Sequence, residues 1–187
     1  MRQEFRESAA EAGITNARLV HGRWPEAEGV QGDVSFSADV TYFVADIVPF
    51  IQGLVDASRR RVILNLWSQP PPNRRAQTFE LVYGEAKEPS PGHTQLLPVL
   101  WEMGILPDMH VMPLLPWWER HEIATRDESV EMALEGSWLK PEDRDHARGV
   151  IESHFDELFA TTPQGFRPMW HPGMRELLIT WEPVRRL

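Results

Sequence analysis

The clearest alternation of apolar and polar residues lies within residues 32–67. Val34, Phe36 and Ala38 alternate with serines, which predicts a buried β-strand. The apolar positions that follow recur at three- and four-residue steps and share one face of a predicted helix: Ile47, Phe50, Ile51, Leu54 and Val55. The run VILNLW at 62–67 predicts a second buried strand. Two such strands joined by a helix form a parallel-sheet unit.

Local signals predict where that helix begins and ends. Asp46 is the predicted N-cap, because its carboxylate can accept from the free N–H groups of the first turn. Pro49 is tolerated early in a helix, where an N–H has no partner to lose. Arg59 to Arg61 are predicted to close the helix, since cations suit its C-terminal dipole.

The flanking sequence predicts more helices and strands. The predicted helices are Met1–Ala12 (ended by Gly13), Gln77–Tyr83, Thr94–Met103 (capped by Thr94), Ser129–Leu134 and Pro141–Phe159. The predicted strands are Ala17–His21, Met109–Leu115 and Glu176–Trp181, with Pro163–Gly173 as a loop. This alternation indicates an α/β sheet with helices on both faces. We expect one domain over 1–187, with a helical insertion at about 126–160 before the last strand.

Composition and charge exclude several function classes. The net charge of −9 disfavours nonspecific nucleic-acid binding, which needs a basic face. The absence of cysteine excludes disulfides, thiolate catalysis and cysteine-based zinc sites. No apolar run approaches the roughly 20 residues that span a bilayer, so we expect a cytoplasmic protein without a membrane partner. The excess of arginine over lysine fits either phosphate and carboxylate recognition or a GC-rich coding sequence.

Four segments, taken in order, carry a resemblance to a known family. They are AGITNARLVHGRWPE (12–26), GDVSFSADVTYFVADIVPFIQGL (32–54), LLPVLWEMGILPDMHVM (96–112) and ELLITWEP (176–183). They resemble the later part of a class I S-adenosylmethionine-dependent methyltransferase domain, which has a Rossmann-like, three-layer α/β/α fold. The second segment resembles the family's fourth strand and its following helix, where D-V-x-x-x-x-x-V-x-Y-x-V-x-D is a common cadence. The other segments resemble the third, sixth and closing strands.

The resemblance implies transfer of a methyl group from S-adenosylmethionine to a small-molecule acceptor. Such catalysis rests largely on holding donor and acceptor in line, so no catalytic side chain is assigned. The family holds its cofactor with a glycine-rich turn and an acidic strand end, and this sequence contains no G-x-G. We therefore expect an N-terminally truncated domain, without the family's first and second strands. The alternatives are a catalytically inactive binding or scaffold module, or a site completed by dimerisation.

The resemblance also implies a strand order, 3-2-1-4-5-7-6, in which the missing strands are central. Without them, Ala17–His21 and Val34–Ala38 either pair directly or leave unpaired edges. Unpaired strand edges favour association with another chain. A homodimer that covers these edges is therefore the expected protein partner.

Two groups of residues are candidates for binding the cofactor. Gly22, Arg23 and Trp24 follow the third strand, where the resemblance implies adenine contact. The alternative is that Trp24 is a core aromatic beside a proline. The second group is Ser37, Ala38 and Asp39, at the carboxyl end of the fourth strand, where open α/β sheets place ligands. The alternative for Asp39 is a polar strand end or turn cap.

Aromatic segments near strand ends are candidates for the acceptor pocket, since ligand sites are mostly apolar with few polar anchors. The candidates are Trp117, Trp118, Trp170 and His171, with core packing as the alternative. No metal site is predicted. The sequence HEIAT at 121–125 lacks the second histidine of a metalloprotease motif, and His146 and His154 are eight residues apart on a predicted helix.

Overall fold

The structure, a computed structural model, describes residues 2–113, 123–136, 138–169 and 174–183. Its strands are β1 (Gly32–Ala38), β2 (Ser58–Trp67), β3 (Asp108–Val111), β4 (Phe159–Thr162), β5 (Gly165–Pro168) and β6 (Glu176–Trp181). Its helices are α1 (Arg2–Glu11), α2 (Ile47–Ala57), α3 (Ala76–Tyr83), α4 (His93–Glu102), α5 (Arg126–Leu134), α6 (Arg144–Ser153) and α7 (Phe155–Leu158). Short 3-10 turns cover Thr41–Phe43, Pro71–Arg75 and Pro141–Asp143.

Four strands form a mixed sheet in the order β1-β2-β6-β3. Strand β1 runs parallel to β2, and β6 is antiparallel to both β2 and β3. The parallel unit predicted within residues 32–67 is confirmed, because α2 connects β1 to β2. The protein is therefore an α/β protein with a mixed sheet and packed helices.

One face of the sheet packs against α2 and α4 and forms what we call the sheet core. Val62, Leu64 and Leu66 alternate along β2, so all three point to this face and are buried. They contact buried residues from α2, α4 and β6: Phe50, Ile51, Leu54, Leu96, Leu100, Ile179 and Trp181. The apolar stripe predicted for α2 therefore faces the sheet.

Strand β1 is exposed on the other face. Val34 and Phe36 lie in register with Arg61 and Ile63 of β2, and so point away from α2. Val34 is 49% exposed and Phe36 is 62% exposed. The prediction that these residues are buried is therefore wrong.

A second cluster, the helical core, lies among α3, α5, α6, α7 and the β4–β5 hairpin. Its buried members are Val82, Val130, Ala133, Leu134, Trp138, Ala147, Ile151, Phe155, Leu158 and Phe159. Phe155 stacks on Phe159 and meets Phe166 edge to face, with ring centroids 4.7 and 5.0 Å apart. The hairpin thus closes one side of a helix cluster rather than extending the main sheet.

The strand predicted at Ala17–His21 is wrong. These residues are exposed and form no strand, and β2 is the one strand paired with β1 among the described residues. A strand needs a neighbour to satisfy its N–H and C=O groups, and residues 17–21 have none in the described part of the chain. Within the described residues, no strand pairs with the edge of β1 that faces away from β2, and we call this the open edge.

Three other predictions about the extent of helices, strands and loops are wrong. The loop predicted at Pro163–Gly173 instead contains β5, which forms a hairpin with β4 through a turn ending at Gly165. Gly165 has φ of 141°, and a Cβ there would lie 2.2 Å from the carbonyl oxygen of Ile123. The single helix predicted at Pro141–Phe159 is broken at His154. Arg59–Arg61 belong to β2 because α2 already ends at Ala57.

The predicted caps occupy nearly the right positions but make different bonds. Asp46 is the N-cap of α2, but its side chain makes no capping hydrogen bond. Helix α4 is capped at Gly92 instead of Thr94, and Gln95 supplies the side-chain acceptor. The predicted strand Glu176–Trp181 is confirmed, and α3 matches its prediction within one residue.

Candidate functional site

The carboxyl ends of the parallel strands β1 and β2 lie side by side, the edge where open α/β sheets place ligands. Asp39 directly follows β1, and its N–H donates to the carbonyl oxygen of Asn65 at 2.9 Å. Its φ is 55°, a left-handed conformation that aspartate and asparagine adopt more readily than most residues. The backbone therefore holds this carboxylate at the end of the sheet.

Tyr42 links the ends of the two strands. It is buried in the 3-10 turn that follows Asp39. Its hydroxyl donates to Oδ1 of Asp39 at 3.4 Å and accepts from the backbone N–H of Trp67. One phenol thus joins the residue after β1 to the last residue of β2.

The surroundings of Tyr42 keep its hydroxyl protonated. Burial raises the pKa of Tyr42 well above its usual value, and the negative charge of Asp39 raises it further. The hydrogen bond from Trp67 lowers the pKa by a smaller amount. Tyr42 is therefore a neutral donor near physiological pH.

Arg74 supplies a positive charge beside these groups. It lies in the 3-10 turn Pro71–Arg75, and its guanidinium carbon is 5.2 Å from the centroid of the Trp67 ring. This distance is within the range of a cation–π contact. Burial lowers the pKa of Arg74, whereas Tyr42, once its phenol is ionised at high pH, and the negative charge of Asp39 act in the opposite direction. We call Asp39, Tyr42, Trp67 and Arg74 the Asp39–Arg74 cluster.

Two hydrogen bonds anchor the start of the loop that carries Arg74. The N–H of Ser68 donates to the carbonyl oxygen of Arg175 at 2.8 Å, and the N–H of Arg175 donates to the Ser68 hydroxyl at 3.0 Å. These two bonds attach the end of β2 to the residue before β6. The cluster is therefore positioned by three strands: β1, β2 and β6.

The cluster combines a carboxylate, a neutral phenol, a guanidinium and an aromatic face. A carboxylate binds cationic or hydroxyl groups, and a guanidinium binds carboxylates or phosphates. This arrangement suits a small polar ligand that carries both charges. Among the described residues, no group of three or more histidine, aspartate or glutamate side chains is arranged to hold a metal ion.

The residues predicted to bind a cofactor separate into different places. Asp39 belongs to the cluster, while Ser37 faces α2 and lines a groove of about 470 Å³ along the open edge of β1. Trp24 lines the same groove, and its indole N–H donates to the carbonyl oxygen of Phe50 at 3.2 Å. Gly22 and Arg23 are exposed on the loop before Trp24.

Ala38 is exposed on the sheet face away from α2, in register with Asn65. The structure thus brings Trp24 and Ser37 together in one groove. The candidates for the acceptor pocket cannot be placed in this way, because Trp117, Trp118, Trp170 and His171 lie outside the described residues.

Three residues of the cluster were missed as site residues from the sequence: Tyr42, Trp67 and Arg74. Tyr42 did have a signal, because it occupies the tyrosine position of the D-V-x-x-x-x-x-V-x-Y cadence. For Arg74 the only signal was the overall excess of arginine over lysine, and a GC-rich coding sequence explains that excess equally well. Trp67 ends an apolar run and is indistinguishable from a core residue by sequence alone.

No family model matches this chain, and no curated protein matches it. Within the described residues, none of the helices combines the length and the apolar character that crossing a membrane requires.

Proposed function

We propose that this chain is related to class I S-adenosylmethionine-dependent methyltransferases and that it transfers a methyl group to a small-molecule acceptor. The observation that carries the proposal is the strand order. Numbering β1, β2, β3 and β6 as the family's strands 4, 5, 6 and 7 gives the order 4-5-7-6. This is the second half of the order 3-2-1-4-5-7-6 that the sequence resemblance implies.

The chemistry of the Asp39–Arg74 cluster is compatible with such a ligand. S-adenosylmethionine carries a cationic sulfonium, an ammonium, a carboxylate and ribose hydroxyls, and when bound it supplies the transferable methyl group. The Asp39 carboxylate suits the cationic groups or the hydroxyls, and the Arg74 guanidinium suits the carboxylate. Tyr42 keeps Asp39 in place through its hydrogen bond. The contribution of these residues is to bind and orient the reactants.

A second candidate function is a binding module without catalysis. The observation that favours it is the absence of any G-x-G in the sequence, because a glycine-rich turn lets the backbone approach a nucleotide closely. Under this proposal the Asp39–Arg74 cluster binds a small polar ligand and no methyl transfer follows.

Calorimetric titration of the full chain with S-adenosylhomocysteine tests the first proposal against the second. We expect saturable binding that Asp39→Asn weakens about tenfold, since a hydrogen bond to a charged group contributes about 1.5 kcal/mol or more. Asparagine keeps the left-handed backbone accessible, so this variant isolates the charge.

The matched control is Asp56→Asn, on the exposed face of α2, where Asp56 accepts a hydrogen bond from Gln52. This control should bind like the unmodified chain. A folded protein that shows no heat of binding would contradict the methyltransferase proposal and favour the binding module. Equal affinities of Asp39→Asn and the unmodified chain would place the ligand away from the cluster.

A further inference from the structure

The open edge of β1 has the features of a protein interface. The N–H of Asp39 donates to β2, and successive residues of a strand direct their N–H and C=O groups to opposite sides. The N–H and C=O groups of Ser35 and Ser37 therefore also point to β2. Those of Val34, Phe36 and Ala38 point away from β2, toward the open edge. Three residues thus present hydrogen-bonding groups along an edge whose side chains are also exposed and apolar. A long open edge of this kind favours pairing with another strand.

The sequence around this edge is self-complementary. In VQGDVSFSADV (30–40), apolar or small residues occupy the even positions and polar residues the odd positions, symmetrically about Ser35. An antiparallel pair centred on Ser35 sets Val34 opposite Phe36 of a second copy. Both residues point their backbone groups outward, so they form a hydrogen-bonded pair. The exposed apolar side chains of the two copies then meet on one face.

The charges are also compatible with this register. Asp33, already paired with Arg59 at 2.8 Å, lies opposite Ser37 of the second copy instead of a second carboxylate. Just beyond the strand, Asp39 comes next to Gln31 of the second copy, whose side-chain amide can donate to a carboxylate. Like charges, which would oppose pairing, do not face each other at this edge.

We propose that two copies of this chain associate through β1, antiparallel and centred on Ser35, to form a continuous sheet. Each copy then contributes residues 30–32 beside the Asp39–Arg74 cluster of the other. The opposite edge is a weaker candidate, because β3 has only four residues and begins with a charged one, Asp108. This proposal does not depend on the proposed function.

Light scattering of the eluting protein measures the mass in solution. We expect twice the chain mass of 21.6 kDa, and we expect Phe36→Lys to return the protein to monomer. The matched control is Val111→Lys on β3, since Val111 is 60% exposed and Phe36 is 62% exposed. A monomeric unmodified chain would overturn the proposal, as would a dimer that only Val111→Lys dissociates.

Cysteine cross-linking tests the register, because the chain contains no cysteine of its own. Ser35→Cys places two thiols opposite each other in a non-hydrogen-bonded pair, where Cα atoms are about 4.5 Å apart and a disulfide can form. Ser37→Cys is the control, since its partner in this register is Asp33. We expect a covalent dimer from Ser35→Cys alone, with thermal melting confirming that both variants fold. Cross-linking of Ser37→Cys alone, or of neither variant, would overturn the register.

Discussion

The helical core is enclosed more completely than the sheet core. In the helical core, residues from several helices and a hairpin enclose the side chains from all sides, and Val130, Ala133, Ala147 and Ile151 are fully buried. In the sheet core, Ile51, Leu64 and Ile179 are fully buried where α2 and α4 cover them, yet one face and one edge of β1 remain open in the described part of the chain. Complete burial of individual side chains and closure of the whole core are therefore separate properties. The open region lies beside the candidate site.

The largest expected difference between the two regions comes from phenylalanine truncation. Phe155→Ala should lower the free energy of unfolding by about 3–5 kcal/mol, because it leaves a cavity among packed rings. In the single chain, Phe36→Ala on the open face should change it by no more than about 0.5 kcal/mol. Urea titration at a protein concentration low enough to keep two copies apart measures both values. A similar loss for both variants under these conditions would show that Phe36 is buried within one chain.

Two helical glycines give the next comparison. A Cβ at Gly53 of α2 would lie 2.5 Å from Cβ of Pro25 and 3.2 Å from the Trp24 ring, so Gly53→Ala should destabilise the protein by about 1–3 kcal/mol. A Cβ at Gly149 of α6 meets nothing within 4 Å, so Gly149→Ala should stabilise it by about 0.5–1 kcal/mol. Thermal and urea unfolding should therefore shift in opposite directions. A stabilising effect of Gly53→Ala would mean that Trp24 and Pro25 do not pack on α2, and a destabilising effect of Gly149→Ala would mean that the space beside Gly149 is not open.

Removing the Tyr42 hydroxyl tests the part of the sheet core that adjoins the Asp39–Arg74 cluster. Tyr42→Phe should cost about 1–3 kcal/mol, because it leaves the N–H of Trp67 without this acceptor. Since the folded pKa of Tyr42 is raised, its protonation stabilises the fold fully below the unfolded pKa of about 10. That contribution is lost as the pH rises above 10. The difference in unfolding free energy between the two proteins should therefore shrink between pH 8 and pH 10.5, and a constant difference would contradict the buried phenol.

The smallest expected effect concerns helix caps. Thr125 caps α5 with its hydroxyl, which accepts from the N–H of Glu128 at 3.2 Å, and Thr125→Ala should cost about 1 kcal/mol. Asp46→Ala at the start of α2 should cost less than about 0.5 kcal/mol, because Asp46 makes no capping bond. Urea unfolding of the two variants measures the difference. The reverse ranking would mean that Asp46 caps α2 in solution.

The elements predictable from sequence are those that carry their own periodic signal. Strand β6 and the strand–helix–strand unit have continuous apolar patterns, and the structure contains them. The wrong predictions lie where contacts with residues distant in the chain determine the structure. Residues 17–21 have the composition of a strand but no neighbouring strand in the described chain, and Val34 and Phe36 alternate like buried residues on a face left open.

The site was predictable only in part, for a similar reason. Asp39 follows from a general rule about strand ends, and its prediction needed no knowledge of contacts. Arg74 reaches the cluster because a proline-rich turn returns the chain over Trp67. The spacing of residues along the sequence does not indicate that the chain turns back over Trp67. Contacts between residues distant in the chain, such as Ser68 with Arg175, are likewise invisible to local patterns.

The central position of β6 has a consequence for synthesis on the ribosome. Among the described strands, β3 pairs only with β6, although β6 is made much later in the chain. Until β6 emerges, β3 has no partner strand, and the side of β2 that faces β6 is open as well. The strand–helix–strand unit can form early, but the four-stranded sheet becomes complete only after β6 has been made. Nascent chains arrested before residue 176 should therefore be more sensitive to protease at β3 than at β1–β2.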